Sequence, residues 1–365
     1  MEHNGPIKGR GSRIRLAGRF ESTTTEAVDD GWHADAGEEF AAPALRTTVT
    51  EENARSILSR NRSPDVGFDV SLNPYRGCEH GCSYCFARPS HAYLNLSPGL
   101  DFETRLFAKT NAAQRLLHEL SRPGYVPEPI ALGINTDAYQ PIERRLQITR
   151  QCLQVLHDCR HPVSLITKNA LIERDLDLLA GMAADNLVSV AFSVTTLDSK
   201  LSAKLEPRAA APHARLRAMH RLSEAGVPVT VMAAPVIPWV NDAELEAVLE
   251  AAREHGAVRA GYVLLRLPHE VAPLFRDWLD AHFPQRAAHV MSTVQQLRGG
   301  KDYDSAFGQR MRGQGVYADL LARRFRLACQ RLGYVASAQQ WQALDCTRFV
   351  RPRPPRPDSP QGELF

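Results

Sequence analysis

Cysteine is scarce here, and the count is odd: seven in 365 residues. That is too few for a disulfide scaffold and leaves one thiol over, so a reducing, cytoplasmic setting is expected. No run of eighteen apolar residues occurs, which excludes a membrane-spanning helix. The first twenty residues, MEHNGPIKGRGSRIRLAGRF, lack an apolar segment, so no secretory signal is expected. Apolar residues make up 44% and charged ones 23%, which rules out a wholly disordered, collagen-like or coiled-coil chain. The length suffices for one large domain or two ordinary ones with a buried core.

The net charge of +3 hides an asymmetry. Residues 1–20 carry five basic groups and one acid, and residues 21–40 carry seven acids and no base. With no hydrophobic period, 1–45 reads as a charged, disordered extension. A second basic stretch holds Arg298, Lys301, Arg310, Arg312, Arg323, Arg324, Arg326 and Arg331. From Arg348 the chain becomes rich in proline and arginine, so 347–365 reads as an extended tail. Basic flanks suit either a polyanionic partner or ordinary solvated surface.

Between the flanks, short apolar runs alternate with amphipathic stretches. Strands are expected at 68–72, 129–134, 163–167, 187–194, 227–235 and 258–265. A helix is expected over 103–120, and another opens at Pro141 with Ile142, Leu146, Leu153 and Leu156 on one face. Gly226 falls where a helix should end. Six such steps imply a parallel sheet with helices outside, either a partial (β/α)6 barrel or a doubly wound sheet. In both, function gathers at the C-terminal strand ends. The barrel is assigned to 46–267 and a helical cap to 268–346.

The sharpest signal is RGCEHGCSYCFA, where Cys78, Cys82 and Cys85 follow the first strand with spacing C-x3-C-x2-C. Three thiolates on one loop can hold three irons of a [4Fe–4S] cluster and leave the fourth iron open. A zinc site is the alternative, with His80 as fourth ligand, although His80 lies awkwardly between two of the cysteines. Outside this loop no C-x2-C pair exists. Cys152 and Cys159 lie on an apolar helix face and read as buried structural thiols.

This spacing, with Tyr84 before the last cysteine, resembles the signature of the radical S-adenosylmethionine (SAM) superfamily. NPYRGCEHGCSYCFARPSHAYLNLSPGLDFET, TDAYQPIE and RGGKDYDSAFGQRMRGQG extend the likeness to a bacterial subgroup described as similar to spore photoproduct lyase, or as "DNA repair photolyase". The resemblance implies a (β/α)6 barrel of the partial, TIM-like kind. It also implies a [4Fe–4S] cluster, S-adenosyl-L-methionine as cofactor, and an electron donor such as flavodoxin or ferredoxin. Cys78, Cys82, Cys85 and Tyr84 become the catalytic set. Thr136, Asp137, Lys168, Ser193 and Arg208 become candidates for holding the cofactor. Two positions depart from the lyase: Ile134 stands where it has its hydrogen-donating cysteine, and Phe86 where it has a relay tyrosine. Both argue against spore photoproduct as substrate.

The C-terminal motif mixes glycines, Arg310 and Arg312, and the aromatics Tyr303, Phe307 and Tyr317. These are residue types that approach, grip and stack on nucleic acid, or that simply cap the barrel. The last residues, QGELF, are similar to the peptide by which bacterial replication and repair proteins bind the sliding clamp. Gln361, Leu364 and Phe365 would be its anchors, and Gly362 departs from the preferred leucine. Nucleic acid, DNA or RNA, is the favoured substrate class. A peptide or metabolite substrate and a non-catalytic zinc-dependent nucleic-acid-binding module are the alternatives.

Overall fold

The computed structural model describes residues 7–20, 45–335 and 343–353. Within them ten strands form two sheets: β1 (Thr48–Glu52), β2 (Leu58–Arg60), β3 (Val70–Leu72), β4 (Tyr75–Arg76), β5 (Arg105–Lys109), β6 (Ile130–Leu132), β7 (Val163–Thr167), β8 (Val188–Ser193), β9 (Val229–Val236) and β10 (Arg259–Leu264). In the larger sheet β3, β6, β7, β8, β9 and β10 are parallel neighbours in chain order. β2 adds antiparallel to β3 at one edge.

The strands are apolar because both of their faces are covered: Leu72, Ile130, Leu132, Val163, Val188, Phe192, Val229 and Val231 are fully buried. Every crossover steps to the next strand in the same direction. Since such crossovers are right-handed, the helices fall on one face and the sheet curls with them outside. A doubly wound sheet needs a reversal of strand order, and there is none. The fold is the partial (β/α)6 type, with the six expected strands in place.

Four expectations change. Residues 105–109, expected inside a helix, are β5, whose Leu106 and Ala108 are buried while Arg105 is exposed. A period of two wins here because β5 pairs with β1 and β4 in a small sheet beside the cysteine loop. The helix after Pro141 breaks at Gln147, which takes a left-handed conformation, giving Glu143–Leu146 and Ile148–Asp158. The Glu143 carboxylate accepts from the Thr149 and Arg150 amides, capping the second piece.

Residues 7–20 are not a free extension. Arg13 pairs with Asp277, Arg15 with Asp101 and Arg19 with Glu270, so charges that suggested solvation have fixed partners. The start of the tail is anchored as well. Phe349 packs against Tyr125 and His161, and the Val350 amide donates to the Cys159 carbonyl.

Within the cap, helices Val271–His282 and Pro284–Gln296 build a second core. Phe275, Trp278, Val290 and Met291 join Cys82, Tyr84, Leu201 and Leu205 there. Helix Val316–Arg331 instead lies against helix Leu245–Glu254, held by Arg324 to Glu246. Cys152 and Cys159 are buried in the main core, as expected of structural thiols. No helix among the described residues is long and apolar enough to cross a membrane.

Candidate active site

The cysteine loop leaves β4 and crosses the C-terminal ends of the parallel strands. Backbone bonds coil it: the Cys78 amide donates to Phe102, Cys85 to Cys82, and Arg88 to Cys85. Outside it, Arg88 is completely buried and spends all five guanidinium N–H groups on the carbonyls of Gly81, Cys82, Pro98 and Gly99 and on Glu103. Glu103, also fully buried, accepts in turn from the Gly11 and Ser12 amides, each at 2.9 Å. Gly11 lies so close to the loop that a β-carbon there would stand 1.5 Å from the Gly81 carbonyl oxygen, a contact only glycine permits.

Inside the loop, Cys78, Cys82 and Cys85 line one cavity of about 420 Å³. Asp137 in the loop after β6, Lys168 just past β7 and Ser193 at the end of β8 share that cavity, as do Ile134, Met232, Ala234, Pro235 and Arg266. Asp137 accepts from four donors: the Tyr139 and Lys168 amides, Thr167 Oγ1 and His80 Nδ1. Burial pushes its carboxyl up, but the charge and hydrogen bond of His80, with the two amides, outweigh that and hold it down at about 2. Burial pulls the Lys168 ammonium down, yet Cys82 and Glu206 more than compensate and keep it above its ordinary value.

Beneath the loop lies a network not foreseen from the sequence. Glu206 is buried and accepts from Tyr84, Thr195 and Arg215, and Arg215 also donates to the Ser193 and Ala210 carbonyls. Burial would raise Glu206, but Arg215 and Lys168 hold it ionised. Tyr84 therefore walls the cavity with its ring while its hydroxyl is bound to Glu206.

The other expected residues divide. Thr136 is buried and donates to the Tyr75 carbonyl, off the cavity lining. Arg208 lines a different cavity, of about 670 Å³, with Arg144, Arg174 and Arg217, and it pairs with Glu79. Its amide donates to the His80 carbonyl in the cysteine loop. Arg310 does line the cysteine cavity and is tied to Asp65 and Ser63. Arg312 is exposed and lines neither cavity. Gln361, Leu364 and Phe365 lie outside the described residues. Sequence reasoning missed Arg266, two residues past β10; the signal was a charge directly after the last apolar run, as Lys168 follows β7.

The donor set fits an iron–sulfur cluster better than zinc. Burial pushes the Cys78 and Cys82 thiols up, with Asp137 adding at Cys78 and Glu206 at Cys82, a cost that bound zinc or iron would offset alike. Among the described residues no three His, Cys, Asp or Glu converge as ligands of one metal ion. A cluster takes one thiolate on each iron, so its ligands stand apart. His80, the fourth ligand a zinc site would need, has both ring nitrogens engaged. Nδ1 faces Asp137, and Nε2 faces the Asn169 amide nitrogen at 3.3 Å.

A partial barrel with three loop cysteines at its strand ends defines a class, the radical enzymes built on S-adenosylmethionine. The radical SAM superfamily signature matches residues 72–252. An uncharacterized protein of Mycobacterium tuberculosis is 39% identical over 287 residues, covering 77% of this chain and 82% of its own. One of Methanocaldococcus jannaschii is 28% identical over 196 residues, 54% of this chain and 70% of its own. Spore photoproduct lyase complexed with dinucleoside spore photoproduct has a similar fold, with a TM-score of 0.53 over 78% of this chain and 80% of that one, at 14% identity. The chain belongs to the radical SAM superfamily and is an enzyme of that class, whose members bind a [4Fe–4S] cluster and S-adenosylmethionine.

Proposed function

We propose that this enzyme holds its cluster on Cys78, Cys82 and Cys85 and uses it to act on a nucleic-acid base, in repair or in nucleotide modification. The observation that carries the reading is the convergence of the three thiols with Asp137, Lys168 and Ser193 in one cavity at the strand ends. When bound, the cluster and cofactor supply a 5′-deoxyadenosyl radical able to abstract a hydrogen atom. The chain's own part is to shape the space around it. Lys168 offers an ammonium suited to a carboxylate, Ser193 a hydroxyl, and Met232, Ala234 and Pro235 an apolar wall that excludes water.

Nucleic acid is favoured by the rim. Phe86 and Phe307 are 43% and 61% exposed, and each lies against an arginine, Arg266 and Arg310 respectively. Exposed rings beside guanidinium groups suit stacked bases and phosphates. A fold shared with a lyase complexed with a dinucleoside photoproduct agrees with this. Spore photoproduct itself is disfavoured, because Ile134 in the cavity carries no abstractable thiol hydrogen and Phe86 no phenol.

The test is anaerobic reconstitution with iron and sulfide, then reduction with and without S-adenosylmethionine. Electron paramagnetic resonance would follow the cluster, and chromatography 5′-deoxyadenosine. The expected result is a cluster signal that shifts with cofactor, with cluster and 5′-deoxyadenosine both lost in Cys82→Ala. A colourless protein that binds zinc and never cleaves the cofactor would discard the proposal.

A further inference from the structure

Arg266 and Arg310 line the cysteine cavity and Arg298 lies near Arg266, but the three are not held alike. Arg310 is bound to Asp65 and Ser63. Arg298, almost wholly buried, donates to the Leu265 and Gln309 carbonyls and serves as a strut. Arg266 has neither arrangement. Its guanidinium meets only Tyr303 Oη at 3.3 Å and Met311 Sδ at 3.4 Å, both weak acceptors, and its buried Nε has no partner. Among the described residues no carboxylate pairs with it. Asp65, the acid whose charge it feels, is taken by Arg310.

The buried Nε is costly to leave unmet, and the rest of the group is partly exposed and open to a ligand. Its surroundings say what kind. The guanidinium carbon lies 5.1 Å from the centre of the Phe86 ring and 6.0 Å from that of Tyr303, so the two aromatics hold it. Its Cζ is braced while its N–H edge lacks a strong acceptor, and that edge is the part matched to the paired oxygens of a phosphate. Phe86 is half exposed beside it and lines the same cavity. A planar cation next to a free ring is the pairing that takes a phosphate together with a neighbouring base.

Building on the nucleic-acid reading, we propose that Arg266 is the substrate's phosphate-binding residue. It grips the phosphodiester beside the nucleotide that enters the cysteine cavity, and Phe86 stacks an adjoining base. A base in a duplex cannot reach that depth, so the strand presented is single or locally opened.

The experiment uses the full chain, reconstituted with its cluster, and a fluorescent single-stranded thymidine decamer titrated at several salt concentrations. Wild type should bind with an affinity that falls as salt rises. Arg266→Gln should weaken binding about tenfold and lower the salt slope by about one phosphate contact. Arg266→Lys should restore the slope without full affinity, because an ammonium lacks the planar fork. Arg122→Gln, an exposed arginine before β6 at the opposite end of the sheet, should change neither. Melting temperature and cluster absorbance check that each variant is folded and loaded. A folded Arg266→Gln that keeps wild-type affinity and slope overturns the assignment alone. Wild type that does not bind the decamer overturns the nucleic-acid reading and the assignment with it.

Discussion

Arg88 and Arg266 stand on opposite sides of one loop and have opposite surroundings. Arg88, on the outer side, is sealed from water with every N–H group matched, one to a carboxylate that itself holds two backbone amides. Arg266, on the cavity side, keeps two weak contacts and a buried nitrogen with none. The same residue type therefore does two jobs. Where the protein completes the guanidinium, the residue fastens the scaffold; where it leaves the group incomplete, the residue is left for a ligand.

Breaking the outer side should have the largest effect. Arg88→Met strands Glu103 as an uncompensated buried charge, and the expected loss is about 3–5 kcal/mol of folding stability. Urea unfolding of the variant beside wild type measures it, and an unchanged midpoint would mean that burial and pairing do not mark structural roles here.

His161 extends the contrast to a buried group far from the loop. It is wholly buried, its Nδ1 donates to the Pro162 carbonyl and its Nε2 accepts from Tyr125, an arrangement only the neutral ring can make. Burial lowers its pKa to about 4, against 6.5 for a free imidazole. Between those values the unfolded chain takes up the proton first, so stability should fall as pH drops from about 6.5 to 4, by about 3 kcal/mol in all. Denaturant midpoints across that range should decline in wild type and flatten in His161→Gln. Equal slopes in the two would assign the acid sensitivity elsewhere.

The smallest effect belongs to a pair that is neither buried nor free. Arg348 and Asp185 meet with side chains 44% and 31% exposed. Water screens such a contact, and Arg348→Ala should cost no more than about 1 kcal/mol. A loss near that of Arg88→Met would erase the distinction between the two sides.

Much of the framework could be read from residues close together in the chain. Six strands announced themselves as short apolar runs, and three cysteines within eight residues marked the loop. Lys168 and Ser193 were legible because they come directly after or at a strand end, and Asp137 because it lies in the loop that follows β6. What stayed hidden depends on partners distant in sequence. Residues 105–109, read as part of a helix, become a strand because β1 and β4 pair with them. Arg13 and Asp277 look solvated apart and form one contact together. The Glu206 network needs residues from the loop, β8's end and the helix Pro212–Glu224, and no local spacing announces it. Arg266 is distinguished by what it fails to touch, which a sequence does not record.

The Gly11–Gly81 contact also says where this catalytic domain can be cut. A boundary at residue 46, drawn from composition, or at 72, drawn from the superfamily signature, would discard the strand of chain that lies against the cysteine loop. Glu103 would lose both backbone donors at once, and the Gly81 backbone would face water where it now faces another glycine. A protein trimmed there would be expected to fold its barrel and yet keep the loop loose, yielding poorly loaded, air-sensitive preparations that mimic inactivity. For expression, the working enzyme should keep Gly11 and Ser12.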